Sequence, residues 1–268
     1  MSKPKIVVLT GAGISRESNI PTFRDAKDGL WEGHKIEDVA SREGFYHNPQ
    51  MVHDFYNARR ENVQEAQPNA AHIALAKLEE DFEVVIITQN VDDLHERAGS
   101  NPENIIHLHG SLFELICKGQ QHGCQHTFSF DGQWQHETPC PSCGKVGSVR
   151  PKIVWFGEAL DTNDWSWAVH HCETADLFVQ IGTSAQVYPA NILVQQMPFP
   201  RRVEINIISS DEYTGSKEFE SEWVDPASSK KTFAKYYIGP ATEQVPLFVA
   251  QAQELIDALP TKKKRYTI

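Results

Sequence analysis

The sequence predicts an α/β protein built on a doubly wound, Rossmann-like parallel sheet, interrupted by a small cysteine-rich module and a helical insertion, and three observations carry that expectation. Short β-branched runs recur at 6–9, 84–88, 105–108, 177–181 and 203–208, and near-continuous apolar runs of this length suit strands buried on both faces. Polar or glycine-rich signatures stand at the carboxyl ends of four runs: Gly11-Ala12-Gly13-Ile14-Ser15, Gln89-Asn90-Val91-Asp92, His109-Gly110 and Gly182-Thr183-Ser184. Open α/β sheets bind their ligands beyond those ends. The third observation is that Cys117, Cys124, Cys140 and Cys143 cluster between the third and fourth runs.

The first strand empties into the glycine turn at 11–15, which reads as a phosphate cradle: residues without side chains let main-chain N–H groups approach a pyrophosphate, with the positive end of a following helix behind them. Helices are expected at 50–65, at 70–80 after the cap Asn69, at 91–98 closed by Gly99, at 163–174 and at 245–259. Within 163–174, Cys172 reads as a small buried hydrophobe. No repeat or low-complexity tract interrupts the pattern. The stretch 209–235 is long and polar, and the basic run Lys262 to Arg265 ends the chain as a solvated tail, 261–268, or a patch for an anionic surface.

At 268 residues the chain has room for one large α/β domain carrying an inserted module. Lys and Arg number 25 against 36 Asp and Glu, a formal charge of −11, which argues against a nucleic-acid binder held by phosphate contacts. No apolar run approaches the ~20 residues of a membrane helix, and the first residues lack the long apolar region of a signal peptide. A cytoplasmic protein with no membrane partner is the expectation. The oligomeric state is left open, a monomer included.

Cys140-Pro-Ser-Cys143-Gly144 has the form of a metal knuckle, in which two thiolates reach one ion and glycine lets the chain turn beneath it. Cys117 and Cys124 are spaced more widely, and His122 and His126 lie near enough to replace either, so a four-cysteine zinc site and a mixed one are both open. The segment 113–149 has too few aliphatic residues to bury a core unaided, and metal binding would supply its folding free energy. A closed tetrahedral shell leaves no position for substrate, so the zinc is expected to be structural, one ion per chain.

Taken together and in order, these blocks resemble the sirtuins, NAD-dependent protein-lysine deacylases. The resemblance runs over nearly the whole chain: the block 11–15 with Ile20-Pro21-Thr22-Phe23-Arg24, then Gln89-Asn90-Val91-Asp92, Leu108-His109-Gly110-Ser111, Val154-Trp155-Phe156-Gly157-Glu158, Gly182-Thr183-Ser184 with Val187 and Pro189-Ala190, and Ile205-Asn206. It implies a single catalytic domain over 1–268. Its Rossmann-like NAD-binding part would comprise 1–24, 69–112 and 150–260, with a cofactor loop and helical module at 25–68 and a zinc module at 113–149. The implied reaction consumes NAD and an acylated-lysine protein or peptide and yields nicotinamide, O-acyl-ADP-ribose and free lysine.

Roles follow residue by residue from the resemblance. His109 is the expected base, since an imidazole carries a proton either way near neutral pH and Gly110 leaves room for a ribose; His107, two residues earlier, is its rival on the same strand. Asn90 would orient a ribose hydroxyl and water, and Asp92 would accept from the nicotinamide carboxamide; both also suit a helix cap. Gly11, Ala12, Gly13, Ser15, Gln89, Gly182, Thr183 and Ser184 would line the dinucleotide, with Thr22, Phe23 and Arg24 on the cofactor loop, Asn206 at the adenosine ribose and Ala241 at the adenine. Val154, Trp155, Phe156 and Gly157 would pair with substrate peptide.

Acyl preference is read from Tyr56 and Arg59, whose spacing of three puts both on one face of the helix 50–65. A guanidinium grips a carboxylate through two parallel hydrogen bonds while a phenol donates a third, so this face suits an acyl chain ending in a negative charge. The pair, with Gly29-Leu30-Trp31-Glu32, resembles the sirtuin subclass that removes succinyl, malonyl or glutaryl groups, without excluding deacetylation; elsewhere such a pair is an ordinary surface face. The same crevice would also serve an NAD hydrolase or a mono-ADP-ribosyltransferase.

Overall fold

Ile6, Val7, Val8 and Leu9 are fully buried, so the first strand is an interior one covered on both faces. The computed structural model describes residues 3–21, 30–31, 33–118, 123–183, 188–208 and 232–259. In chain order its strands and helices are β1 (Lys5–Thr10), β2 (Leu30–Trp31), β3 (His34–Lys35), α1 (Ile36–Val39), α2 (Arg42–His47), α3 (Pro49–Glu65), α4 (Ala70–Leu78), β4 (Glu83–Thr88), α5 (Leu94–Arg97), β5 (Ile105–His107), β6 (Gly110–Cys117), β7 (Thr127–Ser129), β8 (Val149–Ile153), α6 (Thr162–Thr174), β9 (Leu177–Ile181), β10 (Arg202–Asn206), β11 (Lys235–Ile238) and α7 (Ala241–Asp257).

The central sheet is parallel throughout, in the order β11-β10-β9-β1-β4-β5. Strand order therefore reverses between β1 and β9, and a crevice opens there at their carboxyl ends. Alternate residues of the strands feed two cores. Ile6, Val8, Val84, Ile86 and Val179 pack with α4 and α7, while Val7, Leu9, Val85, Ile87 and Phe178 pack with α6. Each such aliphatic side chain contributes roughly 1.5–3 kcal/mol on burial.

The helices expected from the sequence form, with informative differences. Asn48 caps α3 and Asp161 caps α6 through side-chain oxygens that accept backbone N–H groups, and Asn69 and His72 form a reciprocal capping box at the start of α4. The helix expected at 91–98 shrinks to Leu94–Arg97, because Asn90 N–H is taken by Thr88 Oγ1 and Asp92 Oδ1 accepts from Leu94 N–H. The last helix begins at Ala241, ahead of Pro246, which it carries inside. No α-helix follows the glycine turn: two 3₁₀ turns, Ala12–Ile14 and Arg16–Ser18, end at Asn19, whose φ of 63° is left-handed. The sixth strand of this sheet, β11, is short and at the sheet edge, and it carries no buried β-branched run.

The inserted module is an antiparallel sheet in the order β7-β6-β8 with its own small core of Leu115, Cys117, Trp134, Cys140 and Val149. Helix α3 clamps it. Asn57 exchanges hydrogen bonds with the main chain of Trp134, and buried Arg60 donates to the Leu112 and Gly132 carbonyls. No helix among the described residues is long and apolar enough to cross a membrane. The basic tail and nearly all of the polar stretch 209–235 lie outside the described residues.

Candidate active site

A cavity of about 580 Å³ opens at the reversal of strand order, lined on one side by Gly11, Ala12, Gly13 and Ser15 after β1 and on the other by Gly182 and Thr183 after β9. The two turns are in backbone contact. A Cβ on Gly13 would lie 2.7 Å from Gly182 Cα, and one on Gly11 would lie 2.6 Å from Thr183 Cβ. The N–H groups of Gly11 and Gly13 donate to the Ile181 and Gly182 carbonyls, and those of Ile14 and Ser15 to Gly11 and Ala12. These glycines thus serve strand-to-strand approach. Those four N–H groups are therefore bonded within the fold.

A hydrogen-bonded polar floor joins β1 to β4. Asn90 Nδ2 donates to Ser15 Oγ at 3.1 Å and to Gly11 O at 3.3 Å, and Ser15 Oγ donates to Asp92 Oδ2 at 3.0 Å. Burial pushes the Asp92 carboxyl above its ordinary range, opposed by the Leu94 N–H and the Ser15 hydroxyl. Gln89 donates to Thr183 Oγ1 at 3.1 Å, and Asn206 Nδ2 donates to Thr183 O at 2.9 Å. Gln89, Asn90, Asp92, Asn206 and Ala241 all line the cavity.

His109 lines the same cavity, and its Nδ1 stands 2.9 Å from the Gln89 carbonyl. A carbonyl only accepts, so Nδ1 carries the hydrogen and Nε2 is left with a lone pair. Burial lowers the His109 pKa, the Gln89 carbonyl partly opposing it. A neutral imidazole able to take a proton results. His107 lies instead in a second cavity with Leu108 and Gly110. Strand β5 ends at His107 and the chain turns, so the two-residue period does not carry on to His109.

Tyr56 and Arg59, carried by α3, also line the cavity, as do Val154, Trp155, Phe156 and Gly157. Trp155 Nε1 donates to the Tyr56 oxygen at 3.0 Å. Burial pushes the Tyr56 phenol up to about 12, so it stays protonated, a donor. The segment 154–157 follows β8 as an irregular turn rather than a free strand, because Val154 N–H donates to His109 O, Trp155 N–H to Glu158 and Phe156 N–H to Ala40 O.

In the module, one Sγ each from Cys117, Cys124, Cys140 and Cys143 lie within 4.8 Å of one another, with Cys117 and Cys143 at 3.9 Å. Four thiolates about 2.3 Å from a tetrahedral zinc stand ~3.8 Å apart, so this donor set fits that ion. His126 is stacked on Phe128 instead, and His122 lies outside the described residues.

A Sir2 family model matches residues 11–189, two thirds of the chain and every block of this cavity up to β9. The chain belongs to the Sir2 family. Among its relatives, an NAD-dependent protein deacylase of Bdellovibrio bacteriovorus is 42% identical over 260 residues, 93% of this chain and 97% of the relative. A solved Sir2 homolog–NAD complex is 36% identical with a TM-score of 0.75, covering 95% of this chain and 91% of that one. A Sir2 bound to acetylated peptide is 27% identical with a TM-score of 0.70, covering 94% of each chain.

Within this Sir2 chain, Thr22, Phe23, Arg24, Ser184, Val187, Gly29 and Glu32 fall outside the described residues. Sequence reasoning passed over Arg16, which also lines the cavity and was signalled only by following Ser15. It also gave no role to Arg150, or to Glu158 beyond its place at the end of the block 154–158. Arg150 Nη2 lies 2.9 Å from both Glu158 carboxylate oxygens, and its guanidinium stands 4.1 Å over the Trp155 ring. Burial works against the charge on Glu158, but Arg42, the Trp155 N–H and Arg150 outweigh it and hold the carboxyl below its usual range. Glu158 directly follows Gly157, and that adjacency was the available signal.

Proposed function

We propose that the protein is an NAD-dependent protein-lysine deacylase that moves the acyl group of an acylated lysine to ADP-ribose, and that it accepts acyl chains ending in a carboxylate as well as acetyl. The observation that carries this reading is that His109, Asn90, Tyr56 and Arg59 all line one cavity. The dinucleotide would lie along the β1 and β9 turns with its nicotinamide ribose toward Asn90 and His109. The acyl-lysine would enter past 154–157 with its terminus toward Tyr56 and Arg59.

In this mechanism the acyl carbonyl oxygen attacks the ribose carbon that bears nicotinamide, and the carbon–nitrogen bond to nicotinamide breaks. His109 Nε2 takes the proton of a ribose hydroxyl, which then attacks the acyl carbon; water completes the release of lysine and O-acyl-ADP-ribose. Asn90, tied to Ser15 and Gly11, would hold the ribose hydroxyl and water in place, and Asp92 would meet the carboxamide. Zinc, held by the four cysteines, would supply only the folding of the module. The five cysteines, none of them in a disulfide, suit a reducing compartment such as the cytoplasm.

Mass spectrometry of products from NAD incubated separately with acetylated and succinylated peptides tests the reading. O-acetyl- and O-succinyl-ADP-ribose with equimolar nicotinamide are the expected products. Free ADP-ribose alone, or ADP-ribose attached to protein, would assign the cavity to hydrolysis or to ADP-ribosyl transfer.

A further inference from the structure

Trp155 and Tyr56 meet from elements 99 residues apart in sequence, and the direction of their hydrogen bond is not in doubt. An indole N–H only donates, so at 3.0 Å the Tyr56 oxygen is the acceptor. A phenol has a single proton. With Trp155 seated on its oxygen, that proton is turned away from the indole, and Tyr56 is in the wall of the cavity.

Arg150 and Phe45 hold the indole and Glu158 holds its main chain. Arg150 covers its face at 4.1 Å, Glu158 binds both Arg150 and the Trp155 main-chain N–H, and Phe45 packs against it at 5.5 Å between ring centroids. A cation over the ring withdraws electron density and strengthens the N–H as a donor. Both Trp155 and Tyr56 are 2% exposed. Their arrangement makes a fixed relay from Glu158 through Arg150 and Trp155 to Tyr56.

We propose that Trp155 is a specificity-determining positioning residue: by donating its Nε1–H to Tyr56 it commits the phenol's only proton to the acyl terminus, and so sets the preference for acyl chains that end in a carboxylate. This rests on the acyl-carboxylate reading above. Packing alone would ask only for an aromatic ring here, whereas the relay asks for the nitrogen.

The test is kcat/KM for succinylated against acetylated peptide in the wild type, Trp155→Phe, Tyr56→Phe and the double variant. The ratio is insensitive to the fraction of folded enzyme, because unfolding lowers both activities alike. W155F should lower the ratio about tenfold, mainly through KM for the succinylated peptide, as expected for losing one hydrogen bond to a charge-binding group. In the Y56F background the same change should leave the ratio where Y56F alone put it. Arg150→Lys, which keeps the charge but loses the flat stack, should move the ratio in the same direction. A wild-type ratio in W155F, or an equal further loss in the Y56F background, overturns the proposal while leaving the acyl-carboxylate reading intact. A wild type that removes acetyl but not succinyl overturns both.

Discussion

His109 and His107 bond to consecutive main-chain carbonyls, Gln89 at 2.9 Å and Asn90 at 3.3 Å, yet face different cavities and have pKa values shifted in opposite directions. His107 also meets Glu96 at 2.7 Å, so both of its nitrogens face acceptors. Burial works against its charge, but Glu96, the Asn90 carbonyl and Asp92 outweigh burial and raise its pKa. His109→Ala should therefore cut turnover by about 10²–10⁴, the usual worth of a general base, while His107→Gln costs far less. The rising limb of kcat/KM with pH should have its midpoint below the ordinary histidine value, since His109 must be neutral to act and its pKa is lowered. Steady-state nicotinamide release measures both. Turnover within a few-fold of wild type in the alanine variant would move the base elsewhere.

Arg59→Met should lose desuccinylation roughly 10- to 150-fold relative to deacetylation, because a hydrogen bond to a charged group is worth about 1.5–3 kcal/mol. Paired peptide assays decide it. Equal loss of both activities would mean that Arg59 only supports the helix.

Gly13→Ala should destabilise the fold by about 1–3 kcal/mol, the range for overpacking, because its Cβ would press on the Gly182 backbone, which cannot yield. For a chain of this size that is a fall of roughly 2–4 °C in Tm per kcal/mol, read by thermal melting. An unchanged Tm would show that the two turns separate easily.

Elemental analysis should find one zinc per chain, and Cys140→Ser should lose it. Proteolytic cleavage in 123–149 should then outpace cleavage of the central sheet, which has its own cores. A metal-free protein with the same cleavage pattern would separate the module's folding from the ion.

Acid should weaken the fold through buried histidines. Burial lowers His53 and His72 from about 6.5 to about 4. As pH falls the unfolded chain binds protons first, so their contribution is complete above about 6.5 and is lost as pH drops toward 4. Each is worth up to about 3 kcal/mol by this linkage. Urea midpoints at pH 7 and 4.5 should therefore differ less in His72→Gln than in the wild type; equal differences would exclude a role for His72.

The strand ends that converge on the cavity, the capping Asn69, the cysteine knuckle and the pairing of Tyr56 with Arg59 were all legible in the sequence. Each depends on chain-local geometry: a two-residue or 3.6-residue period, a cap, a turn. The shortened helix after Asp92 and the 3₁₀ turns after Ala12 were not legible, because there local side chains and the neighbouring strand compete for the same backbone groups.

By itself, then, the sequence determined the parallel sheet, the inserted module and the side chains available to the chemistry. Tertiary structure alone decided that Gly13 rests on Gly182, that His107 and His109 part company, that four sulfurs converge, and that Trp155 reaches Tyr56. The reason is that these contacts close long loops. Which distant groups meet at the end of a loop is set by how sheets and helices pack, and no spacing within one segment encodes it.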